Sequence, residues 1–262
     1  MARFDGLWSK KTLIGLVLGQ FVSLLITSTG FSSSELSRRG INAPTSQSFL
    51  NYLMLAFVYG AFVIYRKRRL QIDWYYYLML AVVDVEANFL AGSNPVKGDM
   101  LVIAGSTLYA VSNVSEEFLV KKAERVELMA MLGTFGAVVS ACQISILERN
   151  ELKSIHWTAG AVLPFLGFAL AMFLFYSTVP VILKISGSTM LNLSLLTSDM
   201  WAVLIRIFAY HQKVDWMYFI AFGAVAVGLV IYSGGSKIDA NIAQVAEAKE
   251  GDEESVVNNL VQ

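Results

Sequence analysis

Seven or eight stretches of this chain are long and apolar enough to cross a bilayer, and they leave little of its 262 residues for anything else. The clearest cover residues 12–31, 49–65, 74–90, 100–120, 128–147, 157–183, 190–209 and 216–232. A helix needs about 20 mostly apolar residues to span the hydrocarbon core, where no water is present to satisfy a backbone. The fold class is therefore all-α and polytopic, with about eight transmembrane helices. Charged residues make up 15% of the chain, against about 25% in a typical soluble domain. Function then has to be exercised within or across a membrane.

The positive charges set an orientation. With the amino terminus in the cytosol, thirteen Lys and Arg fall in cytosolic segments and six on the opposite side, with Arg206 inside a span. Cytosolic loops collect such residues, so both ends are expected in the cytosol. The basic run Arg66, Lys67, Arg68 and Arg69 follows a span directly and has this topological reading. Net charge is zero, and nothing in the composition points to nucleic acid. Span 12–31 reads as an uncleaved first helix, being long and polar-speckled for a signal peptide. Residues 236–262 are polar and acidic and read as a disordered cytosolic tail.

No enzyme constellation is visible. His156 and His211 have no metal-ligand spacing, and Cys142 is the single cysteine. No Gly-rich phosphate loop, HExxH or GxSxG occurs. Neither a cofactor nor a metal is expected.

The informative residues are polar ones inside spans. Tyr77, Asp84 and Asn88 share one face of the third span, with Glu86 pointing elsewhere. A carboxylate at the centre of a lone helix costs about 2.5–3.5 kcal/mol, so such groups face a bundle interior or a wet cavity. The fourth span carries Ser106, Tyr109, Asn113, Glu116 and Glu117 as a polar stripe, with Lys121 one turn beyond Glu117. That spacing equally suits a local Glu117–Lys121 pair. The seventh span holds Asn192, Ser194, Thr197, Ser198, Asp199 and Arg206. Small residues four apart (Gly133, Ala137 and Ala141; Ala224 and Gly228) permit close helix contact. Pro164 and Pro180 interrupt the sixth span, either as plain kinks or as borders of a cavity.

Several strings carry a family resemblance: QFVSLL at 20–25, NAPTSQSFLNY at 42–52, DVEAN at 84–88, LYAVSNVSEEFLVKK at 108–122 and FALAMF at 168–173. Together they resemble solute carrier family 35, subfamily F, of the drug/metabolite transporter superfamily, over roughly residues 10–234. The resemblance implies a ten-helix carrier of two inverted five-helix repeats, working by alternating access on a polar organic solute, as nucleotide-sugar carriers of the Golgi and endoplasmic reticulum do. It implies no cofactor and leaves the organelle open between endomembranes and the plasma membrane.

This chain departs from the family pattern after Leu90. Residues 91–99 resemble the lumenal loop before the family's sixth helix, so two helices are missing. The expected organisation is a shortened amino-terminal half-repeat at 1–90, a lumenal loop at 91–99, and the remaining helices, including the carboxy-terminal half-repeat, at 100–235. Tyr77, Asp84, Asn88, Asn113, Glu117, Tyr176 and Asn192 are the candidate substrate-binding residues. Asp84 or Glu117 offers a cation or proton site, Tyr77 and Tyr176 offer rings for stacking, and Asn113 and Asn192 offer polar edges. The partners are then a small polar solute and the bilayer. The rival reading is a non-transporting or regulatory shortened form that assembles with another copy or a full-length relative.

Overall fold

A computed structural model describes residues 10–66, 70–92, 98–211 and 215–228. Among these residues every regular element is helical, as backbone satisfaction in hydrocarbon demands. The helices are α1 (Lys10–Arg38), α2 (Pro44–Arg66), α3 (Trp74–Gly92), α4 (Gly98–Lys122), α5 (Arg125–Gln143), the short α6 (Arg149–Ser154), α7 (Ala159–Leu195), α8 (Thr197–Tyr210) and α9 (Met217–Gly228). A π-helical turn, Ile144–Glu148, joins α5 to α6. The tail 236–262 and Lys67, Arg68 and Arg69 lie outside the described residues, as do residues 93–97 of the expected lumenal loop.

Local chemistry places the first turn. Gly40 adopts φ +76° just past α1. Its N–H bonds the Ser37 carbonyl at 2.9 Å, and the Ile41 N–H bonds the Leu36 carbonyl at 3.0 Å. This is the Schellman arrangement, which needs a left-handed residue and adds an apolar contact between the two flanking positions. Leu36 and Ile41 supply that contact in a small buried cluster with Phe165. Pro44 then opens α2, where its missing N–H costs nothing.

Four continuous helical runs are long and apolar enough to cross a membrane: Leu13–Arg38, Pro44–Arg66, Arg125–Ser154 and Ala159–Phe208. The last, at 50 residues, would be about 75 Å long if straight, more than twice the hydrocarbon core. It is not straight, because Gly187 sits at φ 78° and ψ 172°. Contacts with α1 show a reversal there. Gly160 lies against the Arg39 guanidinium, Gly167 against Ser32 and Gly15 against Ser186, so residues 159–186 run antiparallel to α1. Beyond the break Ser194 meets Gly19, the Ser23 and Thr197 hydroxyls share a 2.8 Å bond, and Thr27 donates to the Ser198 carbonyl at 2.9 Å. The chain has turned back and runs parallel to α1. The run therefore supplies two limbs of opposite direction, which fall on the two separate stretches at 157–183 and 190–209. The helical backbone continues through Pro164 and Pro180, and the break falls on the glycine instead. Helix α3 has 19 residues, roughly 28 Å at 1.5 Å per residue, but its carboxylates and opening tyrosines keep it out of the four most apolar runs.

The α2–α5 contact is a close one, backbone against backbone. A Cβ at Gly133 would stand 2.5 Å from the Ala56 backbone nitrogen, and one at Gly136 would stand 2.6 Å from the Tyr52 ring. Small residues let backbones approach in this way where lipid offers no hydrophobic drive. Gly228 in α9 has nothing near enough to meet a Cβ among the described residues, so the expected close contact there is not formed. The π-helical turn shifts the phase of α5. Ile146 and Leu147 face outward while Glu148 turns in and is 3% exposed. Its carboxylate accepts the Thr45 N–H at 2.7 Å, the Ser46 N–H at 2.8 Å and the Ser46 hydroxyl at 2.6 Å. It caps α2 from across the chain, supplying acceptors to donors a helix start leaves unmade.

Candidate functional site

Helices α2, α3, α4 and α7 each bring hydroxyl or amide groups to one buried point. Asp84, 3% exposed, stands on α3 at its centre. Its Oδ2 accepts the Tyr52 hydroxyl at 2.8 Å and also the Tyr176 hydroxyl. Its Oδ1 accepts the Ser112 hydroxyl at 2.9 Å. One turn on, the Asn88 amide nitrogen faces the same two tyrosine oxygens at 2.8 and 3.0 Å. The Tyr109 hydroxyl donates to the Asn88 carbonyl oxygen at 2.6 Å. Every donation runs one way: Tyr109 to Asn88, Asn88 to the two tyrosines, the tyrosines to Asp84. A network of this kind fixes its rotamers, because turning any member leaves a donor facing a donor.

A cavity of about 560 Å³ opens beside this network. Asp84, Tyr109 and Tyr176 form part of its wall, with Asn113, Glu116 and Phe175. Residues from α1 and α8 close the other side, including Gly30 and Asp199. The Asn113 amide donates to the Asn192 Oδ1 at 2.9 Å and ties α4 to the returning limb of α7. A smaller cavity of about 240 Å³ adjoins it, sharing Ile26, Gly30 and Asp199 and carrying Arg206. Asp199 and Arg206 thus face one space, as their shared helix face requires.

Five of the seven sequence candidates come together here. Asp84, Asn113, Tyr176 and Asn192 line the cavity, and Asn88 braces it from behind. Tyr77 lies apart: its hydroxyl donates to Glu127 at 2.7 Å, and the same oxygen accepts the Gln71 N–H. Glu117 also points elsewhere. It accepts Lys121 at 2.6 Å and the Ser188 N–H at 2.7 Å, just past the Gly187 break. Glu86 turns from the network, as expected, and accepts the Gln143 amide at 3.2 Å.

Tyr52, Ser112 and Glu116 complete the site without having been singled out for it. Tyr52 carried a signal: a tyrosine in mid-span has to find a partner for its hydroxyl. Glu116 carried one in its position beside Asn113 on the polar stripe. It is 2% exposed, lines the cavity, and its Oε1 has no hydrogen-bond partner among the described residues. Among the described residues no group of three His, Cys, Asp or Glu is placed to hold a metal ion. What the site offers is carboxylates, aromatic faces and amide edges around an open volume, the furniture of a binding site for a small polar molecule.

Comparison with known proteins gives the family. The sequence profile of solute carrier family 35 (SLC35F) matches residues 8–91 and 90–234. Solute carrier family 35 member F2 from Mus musculus is 29% identical, taking in 83% of this chain and 77% of its own length. The Xenopus tropicalis protein of the same name is 28% identical over 88% of this chain and 78% of its own. An uncharacterized solute carrier family 35 member of Schizosaccharomyces pombe is 28% identical over 86% of this chain and 59% of its own. The profile match breaks at residues 90 and 91. The mouse alignment spans 290 residues, leaving roughly 70 positions of that relative unmatched, the length of two spans with their loops at about 20 residues each.

Proposed function

Since the chain belongs to solute carrier family 35, subfamily F, and is a multi-pass membrane protein, we propose that it carries a polar organic solute by alternating access through the 560 Å³ cavity. The observation that supports this most directly is the Asp84 network on the cavity wall. A carboxylate, three tyrosines and an asparagine are oriented by donations from four helices, far more polar structure than an anchor needs. Asp84, Asn113, Tyr176 and Asn192 are assigned to solute contact, and Asn88 to positioning the two tyrosines. Glu117 and Tyr77 are assigned to helix ends outside the cavity. Eight crossing helices, an incomplete version of a ten-helix inverted repeat, make up the carrier in this reading.

The experiment is solute exchange in proteoliposomes holding this chain, beside a version in which the two-helix segment is restored between residues 90 and 91. Exchange by the present chain that is lost in Asp84→Asn supports the carrier. Exchange only by the restored version supports a second reading, a shortened form that does not transport alone. What supports that reading is the roughly 70 unmatched positions, about the length of two helices with their loops. In it, the chain is stabilised by another copy or by a full-length relative supplying the missing wall.

A further inference from the structure

The cavity wall is acidic and lacks a compensating charge. Glu116 is buried with one oxygen unpartnered, Asp84 stands on the same wall, and Asp199 lies where the two cavities join. Among the described residues, none that lines the 560 Å³ cavity is Lys, Arg or His. A buried polar atom without a partner is costly, and a buried carboxylate beside another more so. Asp84 has three hydroxyl donors to offset its burial. Glu116 has none at Oε1 among the described residues, which leaves that oxygen open to what enters the cavity.

We propose that this cavity binds an organic cation, an ammonium group borne on a ring or a compact alkyl frame, with Glu116 as its counter-ion. Three observations fix the class. The carboxylates are not grouped to hold a bare metal ion, so the charge arrives on a larger body. Tyr109, Phe175 and Tyr176 line the same space, and the last two pack edge to face with centroids 5.6 Å apart. Aromatic faces with a carboxylate are how proteins hold ammonium ions, through the ring quadrupole and the opposite charge. A pyrophosphate, as in a nucleotide sugar, would meet three carboxylates, Asp84, Glu116 and Asp199, and no cation among the described lining residues. Arg206 faces only the smaller cavity, and Asp199 shares that wall.

The proposal names the solute class for the carrier reading and rests on it for transport, though not for binding. It is tested on the whole purified chain in mild detergent with three probes of one ring: benzyltrimethylammonium, benzyl alcohol and benzylsulfonate. Ligand-dependent melting gives their apparent affinities. The ammonium is expected to stabilise the chain and the sulfonate not to. Glu116→Gln keeps the shape and removes the charge, so it should weaken ammonium binding by about tenfold or more while the ligand-free melting temperature holds or rises. Glu116→Asp, with the charge retained but withdrawn, should fall between. Sulfonate binding as tight as ammonium, no binding by any probe, or ammonium binding unchanged in Glu116→Gln would overturn the proposal. A Glu116→Gln chain that melts lower or does not fold overturns it too, by making the carboxylate structural. Ammonium binding without exchange in proteoliposomes keeps this site and removes the carrier. Sulfonate exchange without ammonium binding does the reverse.

Discussion

Glu148 and Glu116 are buried to the same degree, 3% and 2% exposed, yet sit in opposite circumstances. Glu148 receives two backbone N–H groups and a hydroxyl at the start of α2. Glu116 faces a cavity with an oxygen that nothing donates to. The pair teaches that burial of a charge in a membrane bundle is not itself a sign of function. A carboxylate whose acceptors are filled by the protein is holding the fold together. One whose acceptors are left open is available to something else. Asp84 stands between the two cases, filled by hydroxyls yet on the cavity wall.

The largest test of that distinction is Asp84→Leu. It leaves the Tyr52, Tyr176 and Ser112 hydroxyls without their acceptor in low dielectric, at about 1–3 kcal/mol for each left unmade. Stability should fall by about 3 kcal/mol or more and exchange should be lost, while membrane insertion improves because Leu is apolar. Thermal melting and insertion assays on one preparation read both. If melting, yield and exchange all match the parent, the network is not a structural unit and the comparison with Glu148 fails.

Glu148→Gln should come next. One acceptor oxygen becomes a donor facing donors, and the α2 start loses a charged cap, together about 2 kcal/mol. Probe affinities should be unchanged, since Glu148 caps the start of α2 and does not line the cavity. A change in ammonium affinity equal to that of Glu116→Gln would erase the division between structural and open carboxylates.

Much of this was legible in the sequence, and the reasons for the rest are physical. The spans, the inward face of Asp84 and Asn88, and the outward turn of Glu86 follow from hydropathy and a 100° step per residue. Choosing between Glu116 and Glu117 does not: adjacent residues both flank the polar stripe, and the rotation of α4 against α7 decides which one enters the cavity. Glu148 was hidden because a π-helical turn changes the phase that a regular helix would give it. The prolines drew attention as helix breakers, but tolerance of Pro in buried helices left them in place, and the reversal fell on Gly187, in the Ser186-Gly187-Ser188-Thr189 cluster between the two expected spans. Tyr52 carries its signal in a hydroxyl that needs a partner, and only the tertiary contact with α3 shows which one it takes.

Gly187→Ala tests that reversal and the role of Glu117 beside it. At φ 78° and ψ 172° the residue occupies a region essentially confined to glycine, so a side chain costs about 1–3 kcal/mol. The new Cβ would also stand 3.2 Å from Glu117 Oε1. Stability should fall by about 1–2 kcal/mol, and exchange more than probe binding, because the two limbs of α7 meet at this point and the cavity wall does not. Equal losses in binding and exchange would place Gly187 in the solute site instead.

Tyr77→Phe is the smallest effect and the sharpest on the sequence reading, which grouped Tyr77 with Asp84 and Asn88. All three share a face of α3, but Tyr77 lies two turns away and donates to Glu127 rather than to the cavity network. Glu127 keeps the Gln71 N–H after the change, so its carboxylate is not orphaned and the loss is that of one hydrogen bond, about 1 kcal/mol. The ring remains and continues to fill its place in the core. A modest drop in melting temperature is expected, with apparent affinities for all three benzyl probes within about twofold of the parent, since a hydroxyl outside the cavity removes no contact to a ligand. The control is Tyr176→Phe, which removes a hydroxyl from the network itself and should alter exchange. If Tyr77→Phe weakens ammonium binding as Tyr176→Phe does, the solute path extends along α3 to its Trp74 end, and Glu127 joins Asp84 and Glu116 as a carboxylate that a passing cation meets.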